Sequence, residues 1–380
     1  MKKKLLMFGS YVLVAALATM ITLTMAAANP TSKLDRLEAL IGARFIGDAD
    51  IQTMEDAAAA AMVKATGDRW SYYISAKDYD AHREQEENAY VGVGITIQRQ
   101  EDDSGFLIVM VTDGGPAQEA GVAVNDLLIG VEDQDVRGMT TEEVGALVKG
   151  KEGTSVSLTV LRKGENRILS VERRRIEQPV AEGELLENGI GLVRIYNFDA
   201  RCAQESIAAI EKLRAEGAKK LIFDVRNNPG GFADELVELL DYLLPEGELF
   251  RSVSFDGKET VDVSDANFLD MPMAVLVNGD SYSAAEFFAA ALQEYEAAVV
   301  VGEPTVGKGY YQQTISLGDG SAVALSTGKY FTPKGNSLAD KGILPTVRVD
   351  VDDETASAIY YGTLQPSEDP QIQAAVKALK

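Results

Sequence analysis

The sequence predicts a multidomain α+β protein with a helical N-terminal arm, a small β-rich domain, an α/β core and a short C-terminal helix. Three observations support this prediction. The chain has 380 residues, enough for two or three domains of about 150 residues each. Apolar residues recur at helical spacing up to about residue 90 and then alternate as in strands. Beyond residue 189, strand and helix patterns follow one another, as in α/β folds.

Residues 1–28 have the pattern of an export signal peptide or an N-terminal membrane anchor. Three lysines precede an uncharged apolar run over residues 5–28. The run is long enough to span a bilayer, which takes about 20 residues, and three alanines at 26–28 offer a cleavage site. The length of the run favours the anchor. In both cases we expect the rest of the chain to be extracytoplasmic, either anchored to the cell membrane or secreted or periplasmic.

The helical arm covers residues 29–90, in which leucines three residues apart begin at Leu34. The β-rich domain covers residues 91–176. It contains several short alternating stretches and a helix that begins at Thr140, with Glu143 placed for a capping box.

The α/β core covers residues 177–350, and a tail with a C-terminal helix covers residues 351–380. The alternation of strand and helix patterns predicts a sheet with helices packed on it. The predicted strands lie at 191–195, 221–225, 274–277 and 299–302, and the predicted helices at 204–216, 232–244 and 283–297.

Charge and residue counts exclude several classes of function. With 59 acidic and 36 basic residues, the net charge is −23, so the surface repels phosphate and nucleic acid is not an expected partner. The single cysteine, Cys202, allows no intrachain disulfide and reads as structural. The single histidine, His82, lies in a polar helical run, so neither a two-histidine metal site nor a Ser-His-Asp triad is expected. No cofactor or metal is predicted, although this count does not test carboxylate-only magnesium or calcium sites.

Ser283 is the candidate nucleophile. In the segment NGDSYSAAE (278–286), an apolar strand gives way to a tight turn and then a helix. Hydrolases place nucleophiles in such turns because the hydroxyl is accessible and helix N–H groups face developing negative charge. Taken alone, the segment is also explained by a capping box between Ser283 and Glu286.

Lys308 lies in a glycine-rich loop, GEPTVGKG (302–309), that follows a predicted strand. The loop nearly matches a phosphate-binding loop, so a P-loop NTPase is a rival interpretation. Two features count against it. Gly309 replaces the Ser or Thr that would hold magnesium, and residues 312–317 alternate like a strand where a P-loop must open a helix.

A third segment, DVRNNPGG (224–231), also joins a strand to a helix. Its Pro-Gly-Gly turn predicts free backbone N–H groups, which would make an oxyanion site or simply an ordinary turn. For an acyl-transfer reaction, we expect the oxyanion to be bound by the N–H of Ala284 and by that of Gly230 or Gly231.

Together, these segments resemble the C-terminal processing, or tail-specific, serine peptidases. The likeness extends over nearly the whole chain after the N-terminal segment, and it implies an α/β core of the crotonase/ClpP-like type. The motifs that carry it are RNNPGG (226–231), SxSA (281–284), GKG (307–309) and YFTPxG (330–335).

The resemblance implies Ser283 as the nucleophile, Lys308 as its base and Gln312 as the residue that orients the lysine. A lysine accepts a proton only when neutral, and its ordinary pKa is about 10.4. We expect the loop to bury Lys308, because desolvation lowers a lysine pKa. An amide at position 312 can accept a hydrogen bond from the amine without adding a negative charge.

The β-rich domain resembles a PDZ domain, which binds a peptide C-terminus through loop N–H groups and adds the peptide to a sheet edge. The residues that carry this resemblance are Val91, Gly92, Val93, Gly94, the segment 115–121, Asn125 and Asp126. It implies protein or peptide substrates with exposed C-termini and regulated access to the catalytic pair. Homodimers through the helical termini and a regulatory protein partner are further candidate interactions. The alternatives are a PDZ scaffold with a catalytically silent peptidase fold, and the NTPase.

Overall fold

The computed structural model describes residues 32–379, so the predicted export signal or anchor lies outside the described residues. The chain divides into two compact units, Met1–Tyr73 and Ile74–Lys380. In the first, helices α1 (Lys33–Arg44) and α2 (Ile51–Lys64) confirm the predicted helical pattern. No helix among the described residues is both long and apolar enough to cross a membrane.

A short strand, β1 (Tyr72–Ile74), and helix α3 (Tyr79–Glu86) precede the β-rich domain. The elements of that domain are β2 (Ala89–Gly92), β3 (Ile95–Arg99), β4 (Phe106–Val111), α4 (Pro116–Glu119), β5 (Leu127–Val131), β6 (Gln134–Asp135), α5 (Thr141–Val148), β7 (Ser155–Arg162), β8 (Glu165–Glu172) and β9 (Arg174–Glu177). The main sheet has the order β3-β4-β5-β7-β8, with β6 on β5. Phe106 and Val144 belong to its buried core, and the predicted capping box at Thr140 and Glu143 is confirmed.

The two segments through which the chain enters and leaves this domain, β2 and β9, run side by side. β2 pairs antiparallel with β9, so that Ala89 faces Glu177 and Gly92 faces Arg174. The sequence does not predict β8 or β9, because both are rich in charged side chains and their alternation is weak.

The remaining elements are β10 (Ala181–Leu186), β11 (Ile190–Ile195), α6 (Cys202–Ala215), β12 (Lys220–Asp224), α7 (Ala233–Leu243), β13 (Gly247–Ser254), β14 (Glu259–Ser264), β15 (Met273–Val277), α8 (Ala284–Glu294), β16 (Ala298–Gly302), β17 (Tyr310–Ser316), β18 (Ala322–Phe331), β19 (Val347–Arg348), α9 (Asp353–Tyr360) and α10 (Pro370–Ala378). A six-stranded sheet has the order β10-β11-β12-β15-β16-β19, and all its neighbours are parallel except β10 and β11. Helices α6, α7 and α8 pack on one face and α10 on the other. The predicted α/β core is therefore confirmed.

A second sheet, in which β17, β18, β13 and β14 pair antiparallel in that order, is not predicted from the sequence. Two hairpins, β13-β14 and β17-β18, are joined by the long-range pairing of β13 with β18, and the strands β14 and β17 are largely exposed. This sheet matters for function because β18 carries Tyr330 to the candidate site.

Candidate active site

Three neighbouring parallel strands bring the three motif segments to one edge of the core sheet. β12 ends at Asp224, β15 at Val277 and β16 at Gly302, and the segments follow directly. β15 lies between the other two, so the turn with Ser283 stands between the Pro-Gly-Gly loop and the lysine loop. This edge is where open α/β sheets bind their ligands.

Ser283 occupies a strained turn. Its φ of 59° and ψ of −126° are rare for a residue with a side chain and cost about 1–3 kcal/mol. Ser281 holds the turn, because its Oγ donates to Val225 O at 2.7 Å and accepts from Asn278 N–H at 3.0 Å. Ser283 is 3% exposed, and its Oγ lies 3.3 Å from Tyr330 Oη. A strained strand-to-helix turn is a common support for a nucleophile.

A fully buried carboxylate, Glu286, joins this turn to the lysine loop. Its Oε2 accepts from Ser283 N–H at 3.0 Å and from Lys308 N–H at 2.8 Å. Its Oε1 accepts from Gly307 N–H at 2.7 Å and from the Thr305 hydroxyl. Burial raises the pKa of Glu286, and these hydrogen bonds oppose the shift. One oxygen atom thus holds the backbones of the predicted nucleophile and the predicted base side by side.

The capping contact predicted between Ser283 and Glu286 is confirmed. The sequence does not predict the contacts of Glu286 with the lysine loop or the approach of Tyr330 to Ser283. Tyr330 did stand in one of the motifs that carried the resemblance, and this is the signal that could have singled it out.

Lys308 is only partly buried in this structure. The predicted lowering of a lysine pKa by desolvation requires deeper burial than this. Its Nζ lies 5.8 Å from the centroid of the Tyr282 ring. The loop packs closely against the following chain, because a Cβ on Gly307 would lie 2.8 Å from Lys341 N and one on Gly309 would lie 2.6 Å from Ala339 N. Glycine on both sides of the lysine is therefore a steric requirement.

The P-loop interpretation does not fit this geometry. The loop runs into the strand β17 and not into a helix. The N–H groups of Gly307 and Lys308, which would face a phosphate, donate to the Glu286 carboxylate, and a carboxylate there repels phosphate.

Gln312 lies on β17, four residues after the predicted base. Its Nε2 donates to Ser326 Oγ at 2.9 Å and to Tyr310 O at 3.2 Å. These bonds fix the direction of the amide, so that Oε1 is the end left to accept a hydrogen bond.

The Pro-Gly-Gly loop closely approaches Ser283. Gly230 has a φ of 89°, and a Cβ there would lie 2.6 Å from Ser283 Cβ. Its N–H donates to Asn228 Oδ1 at 2.8 Å, which removes Gly230 from the predicted oxyanion donors. Gly231 forms a parallel bridge with Phe198 in which its own N–H points away from that strand. Within residues 32–379, no acceptor is recorded for this N–H.

Ala284 is the first residue of α8, so its N–H has no acceptor inside the helix. Hydrogen bonds lock the two loops together, since Tyr282 N–H donates to Asn228 O at 3.1 Å and Asn227 N–H donates to Asn278 Oδ1 at 2.9 Å. Of the predicted oxyanion donors, the geometry retains Ala284 and Gly231.

The four residues predicted to bind a peptide divide into two pairs. Val91 and Gly92 lie in β2, whereas Val93 and Gly94 form the turn that leads into β3. Gly94 has a φ of 78°, which favours glycine. β3 lies beside α5 and at the edge of the main sheet, and PDZ domains add a peptide as a strand at such a sheet edge.

Neither His82 nor Cys202 is among the hydrogen-bond partners recorded for Ser283 in residues 32–379. His82 lies on α3, with its Nδ1 3.6 Å from Glu86 Oε2. Cys202 is fully buried at the start of α6, where burial raises the pKa of its thiol.

Comparison with known proteins gives consistent matches. The sequence profile of peptidase family S41 matches residues 189–349, and that of the PDZ domain matches residues 107–162. The carboxy-terminal processing protease CtpA of Bacillus subtilis strain 168 is 31% identical over 369 residues, which are 93% of this chain and 79% of that protein. A "Probable CtpA-like serine protease" of Staphylococcus aureus strain COL is 31% identical over 84% of this chain and 64% of its own length.

A solved structure of an S41 protease from Bacteroides fragilis NCTC 9343 has a TM-score of 0.51 at 18% identity, covering 84% of this chain and 89% of that one. It shows a shared fold. The chain belongs to peptidase family S41, the carboxy-terminal processing serine peptidases, and it carries a PDZ domain. The resemblance found in the sequence motifs is thereby confirmed.

Proposed function

We propose that this chain is an extracytoplasmic serine endopeptidase that cleaves proteins recruited by their C-termini through the PDZ domain. The observation that carries the proposal is the Glu286 oxygen that binds both Ser283 N–H and Lys308 N–H. Membership of the family supports the class of reaction. The cationic start and apolar run of residues 1–28 support the location, either membrane-anchored or released outside the cytoplasm.

In the proposed reaction, Lys308 Nζ takes the proton of Ser283 as Oγ attacks the scissile carbonyl. The carbonyl electrons move to oxygen, where Ala284 N–H and Gly231 N–H stabilise the negative charge. The C–N bond then breaks, and Lys308 returns the proton to the leaving amine. Water attacks the acyl-enzyme with Lys308 again as base, and Oγ leaves with its proton restored.

Bound substrate would complete the burial of Lys308. Desolvation disfavours the charged form of a lysine, so a polypeptide lying over the partly buried side chain lowers the barrier to its role as base. Gln312 Oε1 would hold the amine without adding charge. Through the PDZ domain, substrate binding and activation of the base would be coupled.

The exposed leucines of α1, at positions 34, 37 and 40, support the further proposal of homodimers through the helical termini. A regulatory protein partner is proposed only from the family and the PDZ domain, since PDZ domains bind protein termini.

The test compares full-length wild-type protein with Ser283→Ala, Lys308→Ala and the control His82→Ala. Each is incubated with an unfolded polypeptide that ends in a free carboxylate, and with the same polypeptide amidated at its C-terminus. We expect the first two variants to be inactive, the control to match wild type, and amidation to slow cleavage. Full activity of Ser283→Ala or Lys308→Ala would overturn the proposal.

A further inference from the structure

The hydroxyl of Tyr330 lies 3.3 Å from Ser283 Oγ, the atom that bonds to substrate in the proposed reaction. Tyr330 is 8% exposed and lies on β18, in the second sheet of the core unit. The proposed reaction assigns no role to this hydroxyl, although it lies within hydrogen-bonding distance of the reacting atom.

Three aromatic rings fix the position of the phenol. The centroid of the Tyr330 ring lies 4.9 Å from that of Phe287, 5.2 Å from that of Phe250 and 5.5 Å from that of Tyr311. The backbone N–H of Tyr330 donates to Gly309 O at 3.2 Å, next to the predicted base. The hydroxyl is therefore held against the nucleophile by packing on one side and by the lysine loop on the other.

The protonation state of the phenol decides what it can do. Burial raises the pKa of Tyr330 to about 12, so the phenol keeps its proton and acts as a donor. A serine hydroxyl has one proton and two lone pairs. When Tyr330 donates to one lone pair, the serine proton is left to point toward Lys308.

Charge develops on Oγ twice in the reaction, when it loses its proton during attack and when it leaves the acyl carbon. A donor already fixed in a water-poor site stabilises such charge without reorganisation. The separation of 3.3 Å exceeds the usual 2.7–2.8 Å of O–H···O bonds. Catalytic hydrogen bonds are often long without substrate and shorten in the reacting complex.

We propose that Tyr330 is a further catalytic residue, a hydrogen-bond donor to the nucleophile oxygen in both acylation and deacylation. The inference rests on the proposed function, since it requires Ser283 to be the nucleophile. No proton leaves the phenol. Ser283 gives its proton to Lys308 and recovers it from Lys308, while the Tyr330 O–H bond stays intact.

Tyr330→Phe keeps the ring and removes the donor. In the full-length protein, we expect kcat and the rate constant for fluorophosphonate modification of Ser283 to fall on the order of 10- to 100-fold, with KM unchanged. Tyr311→Phe removes a hydroxyl from a neighbouring ring of the same cluster and is expected to keep the wild-type rate constant. The thermal midpoints of both variants report whether packing has changed.

A second pair of variants covers the case in which Tyr330→Phe folds poorly. Tyr330→p-aminophenylalanine and Tyr330→p-methylphenylalanine are similar in size, but only the first donates, so it should retain far more activity than the second. Modification of Tyr330→Phe at the wild-type rate or faster overturns this inference, as does equal activity of the size-matched pair. An active Ser283→Ala would instead overturn the proposed function.

Discussion

Glu286 binds two loops with one side chain, and each of its oxygens is shared by two donors. Glu286→Gln leaves one oxygen and turns an NH2 group toward N–H donors. Each buried donor left without an acceptor costs about 1–3 kcal/mol, so we expect a loss of about 3 kcal/mol in the free energy of unfolding. The shift in loop position should slow fluorophosphonate modification on the order of 100-fold.

Urea unfolding and the rate of modification measure these two effects of Glu286→Gln. Glu354→Gln, on the exposed face of α9, is the matched control and should change neither. A Glu286→Gln variant as stable and as reactive as this control would show that the carboxylate does not position the proposed nucleophile and base.

The buried carboxyl of Asp199 makes the stability of the fold depend on pH. Burial raises the pKa of Asp199 to about 7 from its ordinary 3.8, and the charges of Glu86 and Glu235 add to the shift. The folded state therefore binds this proton more tightly than the unfolded state, and the stabilisation present at low pH is lost as the pH rises toward about 7. Asp199→Asn should raise the thermal midpoint more at pH 8 than at pH 5, whereas the exposed Asp133→Asn should show no such difference. An equal effect of Asp199→Asn at both pH values would contradict the assignment.

Some site residues could be predicted from the sequence and others could not. Ser283 and Lys308 each stand in a local motif that follows a strand, and the resemblance of these motifs to the peptidase family is what assigned them the roles of nucleophile and base. Glu286 reaches Gly307 across 21 positions, and Tyr330 reaches the nucleophile across 47. Such contacts depend on how strands pair and helices pack, which local patterns do not encode. Gly230 was predicted as an oxyanion donor from its local motif in the same way. In the structure its N–H donates to the side chain of Asn228, a contact that the motif alone does not reveal.

At the scale of elements, a buried ion cluster attaches the C-terminal helix α10 to the core. The Arg226 guanidinium lies 2.6 Å from Asp224 and 2.8 Å from Asp369. Burial opposes the charge on Arg226, but the two carboxylates outweigh it and raise its pKa. Because Arg226 lies shortly before the Pro-Gly-Gly turn in the segment 224–231, the same ion cluster anchors α10 and the Pro-Gly-Gly loop.

Asp369→Asn removes one of the two carboxylates while keeping the size of the side chain. Breaking a buried ion pair lowers the free energy of unfolding by about 3–5 kcal/mol when the remaining charge has no partner. Because Asp224 still pairs with Arg226 in this variant, we expect a loss of about 2 kcal/mol. Urea unfolding measures this loss. The exposed Asp353→Asn, in the first turn of α9, should cost less than about 1 kcal/mol, and equal losses for the two would contradict a buried anchor.

The elements of the parallel sheet were predictable because their strands are short apolar runs separated by helices. The second sheet was not, although the alternation at residues 312–317 indicated the strand β17, because β13 and β14 carry mixed polar and apolar residues and the pairing of β13 with β18 joins segments far apart in the chain. The sheet that was missed is the one that supplies Tyr330.

One arginine of the core, Arg201, forms hydrogen bonds with both segments that connect the PDZ domain to the core. The Arg201 guanidinium donates to Glu87 O and to Gln178 O, each at 2.7 Å. Glu87 precedes β2 and Gln178 follows β9. Arg201 lies shortly after Phe198, which forms a bridge with Gly231, so one short segment of the core contacts both the connections of the PDZ domain and the strand bridge of a predicted oxyanion donor.

Arg201→Ala should loosen both connections at once. We expect amide hydrogen exchange at residues 86–91 and 175–180 to accelerate about 10-fold, which corresponds to a loss of about 1.4 kcal/mol in local stability. Arg137→Ala is the matched control, since Arg137 is exposed and pairs with Asp135 on the PDZ domain. Exchange that is unchanged in Arg201→Ala, or equally fast in both variants, would show that the connections are held by other contacts.

In the proposed mechanism, Ser283 is activated by a neutral lysine at position 308. The most direct measurement is the rate of fluorophosphonate modification, with the modified residue located by mass spectrometry, in wild type, Lys308→Arg and His82→Ala. Lys308→Arg keeps the positive charge but cannot serve as a base, because arginine stays protonated. We expect wild type and His82→Ala to be modified at Ser283 and Lys308→Arg to remain unmodified. Modification of Lys308→Arg at the wild-type rate, or of a residue other than Ser283, would contradict the activation of Ser283 by Lys308.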